Sequence, residues 1–294
     1  MKNKILSLII GIGGMGTSNA QLPVTKLFFA ETQLKSDSSW SIKSLKYLSA
    51  FNPNSYNNQP SFISESKFLA SVVLPGRIDP DIIEFDLKDN SYKKIIAHNL
   101  SDYSPRVHPA YQDEITCVQL NTDKDSAQNL VAYDSKSGKF KRNILDKHGK
   151  IGYYRFWEGS KWICFLVDSI NFLAICDEKS GNRKFFASDI GRCFELTGPG
   201  TVLYVHKQSK DKWTLKEYDI VKEKIRIVAE MPTGVEDFAI DSFGRIICAR
   251  GSSFLYLNRR TGDWELLADI SSSLNTHIKR ISILGSRLLF VAED

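Results

Sequence analysis

The sequence is poor in the residues that usually carry chemistry. Its 294 residues include five cysteines, none before Cys117 and none in a C-x-x-C pair, and five histidines scattered without ligand spacing. No zinc site of the common kinds is therefore expected, and the sequence calls for no metal or cofactor. No G-x-S-x-G occurs and no stretch reads as a second domain for a Ser-His-Asp triad, which excludes an added serine-peptidase domain. No run of eighteen apolar residues follows the N-terminal region, so no membrane span is expected and the mature chain should be soluble. Charge of one sign is not in large excess either. Thirty-nine basic residues against thirty-four acidic give +5, far from the clustered basicity of a nucleic-acid binder. Helical periodicity is nearly absent, and only Asp269 to Asn275 is expected to form one short turn.

Lys2 and Lys4 precede an apolar run from Ile5 to Ile12, and small residues at Ser18-Asn19-Ala20 stand before Gln21. That three-part pattern reads as a secretory signal over residues 1–20, with cleavage after Ala20 and a periplasmic or secreted destination. Within it, Gly11, Gly13 and Gly16 satisfy G-x-G-x-x-G, and Glu31 falls where a ribose-binding acid would sit. A dinucleotide fold needs a helix opening at the third glycine, but Pro23 interrupts that stretch and no βαβ pattern follows, so dinucleotide binding is excluded.

What the chain does have is one recurring unit. From Val131 to Leu145, apolar and polar residues alternate, pass through Ser135-Lys-Ser-Gly138, and alternate again, the grammar of a β-hairpin. Asp81 to Ile96, Phe172 to Phe186, Trp213 to Val228 and Phe254 to Leu267 repeat it. Each hairpin follows a pair of strands, and setting Phe62, Val107, Phe156, Leu196, Ile240 and Ile283 as anchors gives intervals of 45, 49, 40, 44 and 43. Four strands at a period in the forties mark a propeller blade. The last strand pair, Ile281 to Glu293, lacks an outer hairpin, and the hairpin from Thr25 to Leu48 lacks an inner pair. The expected fold is all-β, a six-bladed β-propeller over residues 21–294 whose N- and C-terminal strands close the last blade together.

Five cysteines cannot all pair. Cys117, Cys164 and Cys248 sit third in apolar strands and read as small buried hydrophobes, while Cys164 with Cys176 on successive strands is the one pair to test.

In a propeller the first strand of each blade lines a central channel. The residues entering those strands are Asn58-Gln59, Tyr103-Ser104, Gly152-Tyr153, Arg192-Cys193, Glu236-Asp237 and Lys279-Arg280. Together with Arg106 they form the candidate ligand or partner site, since several blades place amides, tyrosines, acids and bases at one crevice. Arg192 and Arg280 suit a carboxylate or phosphate, and Tyr103 and Tyr153 suit stacking on a sugar or peptide side chain. Trp213, closing the polar loop from His206, is a candidate partner anchor. A calcium site from Asn58, Glu236 and Asp237 falls short of the six or so oxygens that ion takes.

Several local motifs resemble the TolB-like, WD40-like β-propeller proteins exported by Gram-negative bacteria. They are Asn58-Gln-Pro-Ser-Phe62, Tyr103-Ser-Pro105, hairpins with Tyr-Asp before Ser-Gly, Ile190-Gly-Arg192, Val205-His-Lys207 with Asp211-Lys-Trp213, Glu236-Asp-Phe238 and Val291-Ala-Glu293. The family's Ser-Pro-Asp-Gly-Lys turn is altered here, as in Ile63-Ser-Glu-Ser-Lys67 and Asp241-Ser-Phe-Gly-Arg245. No stretch reads as the α/β domain that TolB carries beside its propeller, so the resemblance implies the exported fold and not a Tol-Pal role. The expected function is an exported, monomeric, non-catalytic module that binds a protein or small molecule at its channel face. The alternative is a channel-face hydrolase or lyase using Glu236 and Asp237 with a divalent cation.

Overall fold

The computed structural model describes residues 22–36, 39–96, 98–121 and 127–293, and the signal segment expected at 1–20 lies outside them. The described residues form twenty-four strands. The first two are β1 (Lys26–Ser36) and β2 (Ser39–Tyr47). Blade 1 follows with β3 (Asn57–Phe62), β4 (Lys67–Val72), β5 (Asp81–Asp86) and β6 (Ser91–Lys94). Blade 2 has β7 (Ser101–Val107), β8 (Glu114–Asn121), β9 (Ala127–Asp134) and β10 (Phe140–Leu145). Blade 3 has β11 (Lys150–Glu158), β12 (Lys161–Val167), β13 (Phe172–Asp177) and β14 (Arg183–Ser188). Blade 4 has β15 (Ile190–Gly198), β16 (Thr201–Lys207), β17 (Trp213–Asp219) and β18 (Lys224–Glu230). Blade 5 has β19 (Phe238–Ile240), β20 (Ile246–Arg250), β21 (Ser253–Leu257) and β22 (Trp264–Asp269), and β23 (His277–Leu284) and β24 (Arg287–Glu293) come last.

Every blade is a four-stranded antiparallel sheet, and the sixth has the order β2-β1-β24-β23. Its closure is a six-residue register from Lys26↔Ala292 to Glu31↔Arg287, so the expected pairing of the two terminal regions holds. Innermost strands touch in the cycle β3, β7, β11, β15, β19, β23 and back to β3. The architecture is the six-bladed propeller that the spacing predicts.

The hairpin grammar has a chemical cause. In the β9–β10 turn the Asp134 carboxylate accepts hydrogen bonds from the amides of Lys136 and Ser137 and from the Ser137 hydroxyl. Gly138 takes φ +66° there, and a Cβ on it would fall 1.9 Å from the Ile95 carbonyl oxygen. Asp86, Asp177, Asp219 and Asn258 brace the same turn in other blades through the amides two or three residues on. Between Asp269 and Asn275 a single helical turn is closed by the Leu274 amide donating to the Ile270 carbonyl.

Among the described residues the core is divided into six apolar clusters, one at each interface between neighbouring blades, because the inner strands are covered on both faces. That is why a strand such as Trp162-Ile-Cys-Phe-Leu-Val167 reads as a continuous apolar run. All five cysteines are free and buried in these layers. Cys164 lies opposite Ala174 and Trp162 opposite Cys176, so the candidate pair is diagonal and unbridged.

In the closing blade Phe290 is fully buried, stacked on Phe28 at 5.1 Å and edge-on to Phe254 at 5.7 Å. Phe290→Ala is expected to lower stability by about 3–5 kcal/mol in urea unfolding, since it opens a cavity where the ring closes. Ile227→Ala, on the exposed outer strand of blade 4, should stay within about 0.5 kcal/mol of wild type.

Candidate functional site

The entries to the first strands are irregular. β3, β7, β11, β15 and β23 each carry a register shift where they enter the channel, and β19 begins only after Asp237. Gln59 (φ 57°) and Ser104 (φ 54°) take left-handed backbone just before Pro60 and Pro105, residues that cannot donate to a ladder. These bulges turn one member of each entering pair into the channel. Gln59, Ser104, Tyr153, Cys193, Asp237 and Arg280 line the mouth of a cavity of about 400 Å³. Strand alternation places a second layer two residues on: Ser61, Arg106, Arg155, Glu195, Ala239 and Ser282. Arg192 also lines the cavity, whereas Glu236 and Lys279 line an adjoining recess of about 260 Å³ between blades 5 and 6.

Two expected site residues are turned away. Asn58 is buried, its carboxamide oxygen accepting from the Gln59 amide, and Tyr103 is 2% exposed, edge-on to Tyr56 in the layer between blades 2 and 3. Neither lines the cavity, because the bulge brings Gln59 and Ser104 inward in their place. Trp213 is partly buried in the layer between blades 4 and 5, donates to the Ser209 carbonyl, and has Lys207 over its ring at 4.4 Å. It holds Lys207, which reaches Glu236 at 3.0 Å, and is not a free anchor. Tyr153 does reach the mouth, but the Arg280 guanidinium covers its ring at 5.1 Å. Stacking on a sugar therefore loses both tyrosines that suggested it.

The mouth is an ion-pair network. Asp237 on blade 5 stands 3.7 Å from Arg192 on blade 4 and 3.8 Å from Arg280 on blade 6, and accepts from the Ile281 amide at 3.3 Å. Arg280 continues across the channel, donating to the Tyr153 hydroxyl of the opposite blade 3 at 2.6 Å. Arg192 donates to the Lys279 carbonyl, and Glu236 accepts from the Arg192 amide at 2.6 Å. Burial holds the Asp237 carboxyl above its ordinary value despite Arg280 and Arg192. Burial would raise Glu236 too, but Arg192 and Lys207 overcome it and hold that carboxyl low.

Below, Arg155 pairs bidentately with Glu195, its Nε donating at 2.8 Å, and stacks on Phe194. Sequence reasoning missed both members, although counting two residues on from each entering pair finds them. Arg106 has no carboxylate within hydrogen-bonding reach among the described residues, and burial followed by the charge of Arg155 pushes it down to about 10. Each channel acid is thus committed to cations, and no group of three or more His, Cys, Asp or Glu side chains gathers among the described residues. A divalent cation at Glu236 and Asp237 would have to displace guanidinium groups already there.

No family model matches the sequence, and a comparison with curated proteins finds no match. Solved structures share the fold at low identity. A TolB protein from Agrobacterium tumefaciens aligns at TM-score 0.64 and 10% identity, covering 91% of this chain and 97% of that one. A chain of a nidogen/laminin complex aligns at 0.60 and 11%, covering 92% and 98%. An oligogalacturonate lyase in complex with manganese aligns at 0.53 and 13%, covering 87% and 83%. At these identities the likeness shows the propeller and nothing finer.

The low Glu236 carboxyl has a consequence for stability. A carboxyl held below its unfolded value stabilises the fold at higher pH, and that contribution is lost as pH falls through the folded value. The difference in urea stability between wild type and Glu236→Gln should be full near neutrality and shrink as pH drops below the ordinary 4.5. A difference that stays constant over that range would show that Glu236 carries no such coupling.

Proposed function

We propose that this protein is an exported, non-catalytic binding module that recognises a protein or small-molecule partner at its channel face and acts as a monomer. The observation that carries this reading is the commitment of the mouth acids: Asp237 is shared by Arg192 and Arg280, and Glu236 is held by Arg192 and Lys207. Paired in this way they are poor general bases and poor metal ligands, yet they hold a cavity of about 400 Å³ open with its polar groups fixed. Export rests on the N-terminal pattern of residues 1–20, supported by the TolB fold likeness. Among the described residues no helix is long and apolar enough to cross a membrane.

The test is capture from a cell-envelope extract with tagged protein, comparing wild type with Arg192→Ala/Arg280→Ala after circular dichroism confirms that both are folded. The wild type should retain a partner that the double variant loses. Identical capture by both would contradict recognition at the mouth.

A further inference from the structure

The charges around the cavity do not balance. Arg106, Arg155, Arg192 and Arg280 line it against only Glu195 and Asp237, an excess of two cations. Arg155 pairs with Glu195, Arg280 faces Asp237, and Arg192 faces Asp237 and, from the adjoining recess, Glu236, so Arg106 is the lining arginine with no carboxylate in an ion pair among the described residues. The second layer is also divided by size. Blades 2, 3 and 4 contribute Arg106, Arg155 and Glu195, whereas blades 5, 6 and 1 contribute only Ala239, Ser282 and Ser61. Room is therefore left on the side of blades 5, 6 and 1, the last of which neighbours Arg106 on blade 2, and the Ser61 and Ser282 hydroxyls there have no hydrogen-bond partner among the described residues. Arg106 is partly buried and feels Glu195 only at a distance, and a guanidinium so placed gains from an anion that joins it directly.

We propose that this lower chamber binds a small anionic group, a carboxylate or a phosphate, with the Arg106 fork as its anchor and Ser61 and Ser282 as hydroxyl donors. The Arg280–Tyr153 contact spans the mouth above it, so the anion enters past that strut or at the tip of a chain that opens it. This assignment rests on the reading of the protein as a binding module and names the chemistry its channel takes. Its source is either a free small molecule or an acidic group carried on a protein chain.

Calorimetric titration with sodium sulfate in an otherwise anion-poor buffer tests it. Wild type should bind sulfate and show a raised Tm in its presence. Arg106→Gln should bind about 10- to 100-fold more weakly, the loss expected for a charge-assisted hydrogen bond. Without sulfate its Tm should not fall, because the substitution removes a cation with no carboxylate in an ion pair, whereas a merely structural arginine would give a lower Tm. Arg106→Lys keeps the charge but not the fork and should fall between the two. Citrate or a short polyglutamate peptide is then added as competitor. Displacement by the peptide assigns the anion to a protein chain, and displacement by citrate alone assigns it to a free molecule. Sulfate bound equally by Arg106→Gln, no sulfate binding by wild type, or displacement by neither competitor overturns the proposal. The capture experiment reads Arg192 and Arg280 at the mouth and the titration reads Arg106 below it, so either can fail alone.

Discussion

The channel depends on one partly buried carboxylate. Asp237 is the point at which blades 4, 5 and 6 meet, because Arg192 and Arg280 reach it from either side and the Ile281 amide donates to it. Burial disfavours its charge by more than the two guanidinium groups favour it, so its carboxyl stands above the ordinary value. Removing one partner from such a cluster leaves an uncompensated charge and typically costs several kcal/mol. Arg280 carries the link onward to Tyr153 on the opposite side of the ring, so four of the six blades are joined through one acid and one arginine. A carboxylate used in this way orders the mouth and is not available to move protons.

Beneath that network the same strands set a second layer by simple alternation, and its chemistry is uneven around the ring. Three blades place long charged side chains in the chamber and three place small ones, which leaves room on the side of Ser61, Ser282 and Ala239, next to the blade that carries Arg106. The mouth acids are each shared by two cations and brace the ring, whereas Arg106 in the chamber has no carboxylate in an ion pair among the described residues. Fixed donors around a small cavity favour a ligand that completes the charge balance, because little rearrangement is needed when it binds.

Most of the fold was legible in the sequence for local reasons. Turn aspartates followed by Ser-Gly, and apolar runs covered on both faces, leave marks that repeat at intervals of 45, 49, 40, 44 and 43 residues. Those intervals separate the second-layer residues as well, each of which lies one position before its anchor, so Arg155 and Glu195 follow from the same register as Arg106. What could not be read was which member of each entering pair faces the channel. A bulge shifts the alternation by one residue and exchanges the two faces. Asn58 and Tyr103 were expected in the site for that reason, although Gln59-Pro60 and Ser104-Pro105 hint at the irregularity, since proline breaks the ladder. Trp213 was read as an anchor because its contact with Lys207 joins two strands and leaves no mark in either one alone. Cys117, Cys164 and Cys248, by contrast, are legible as buried side chains, since each sits third in an apolar strand.

The most direct measurement is anomalous diffraction from crystals of the protein grown or soaked with selenate, an anion of sulfate's shape whose selenium can be located without ambiguity. A selenium peak in the lower chamber within hydrogen-bonding reach of the Arg106 guanidinium, absent in Arg106→Gln crystals, is the predicted result. Well-ordered crystals at the same selenate concentration with no peak in the chamber, or with a peak that persists in Arg106→Gln, would contradict an anion site anchored on Arg106.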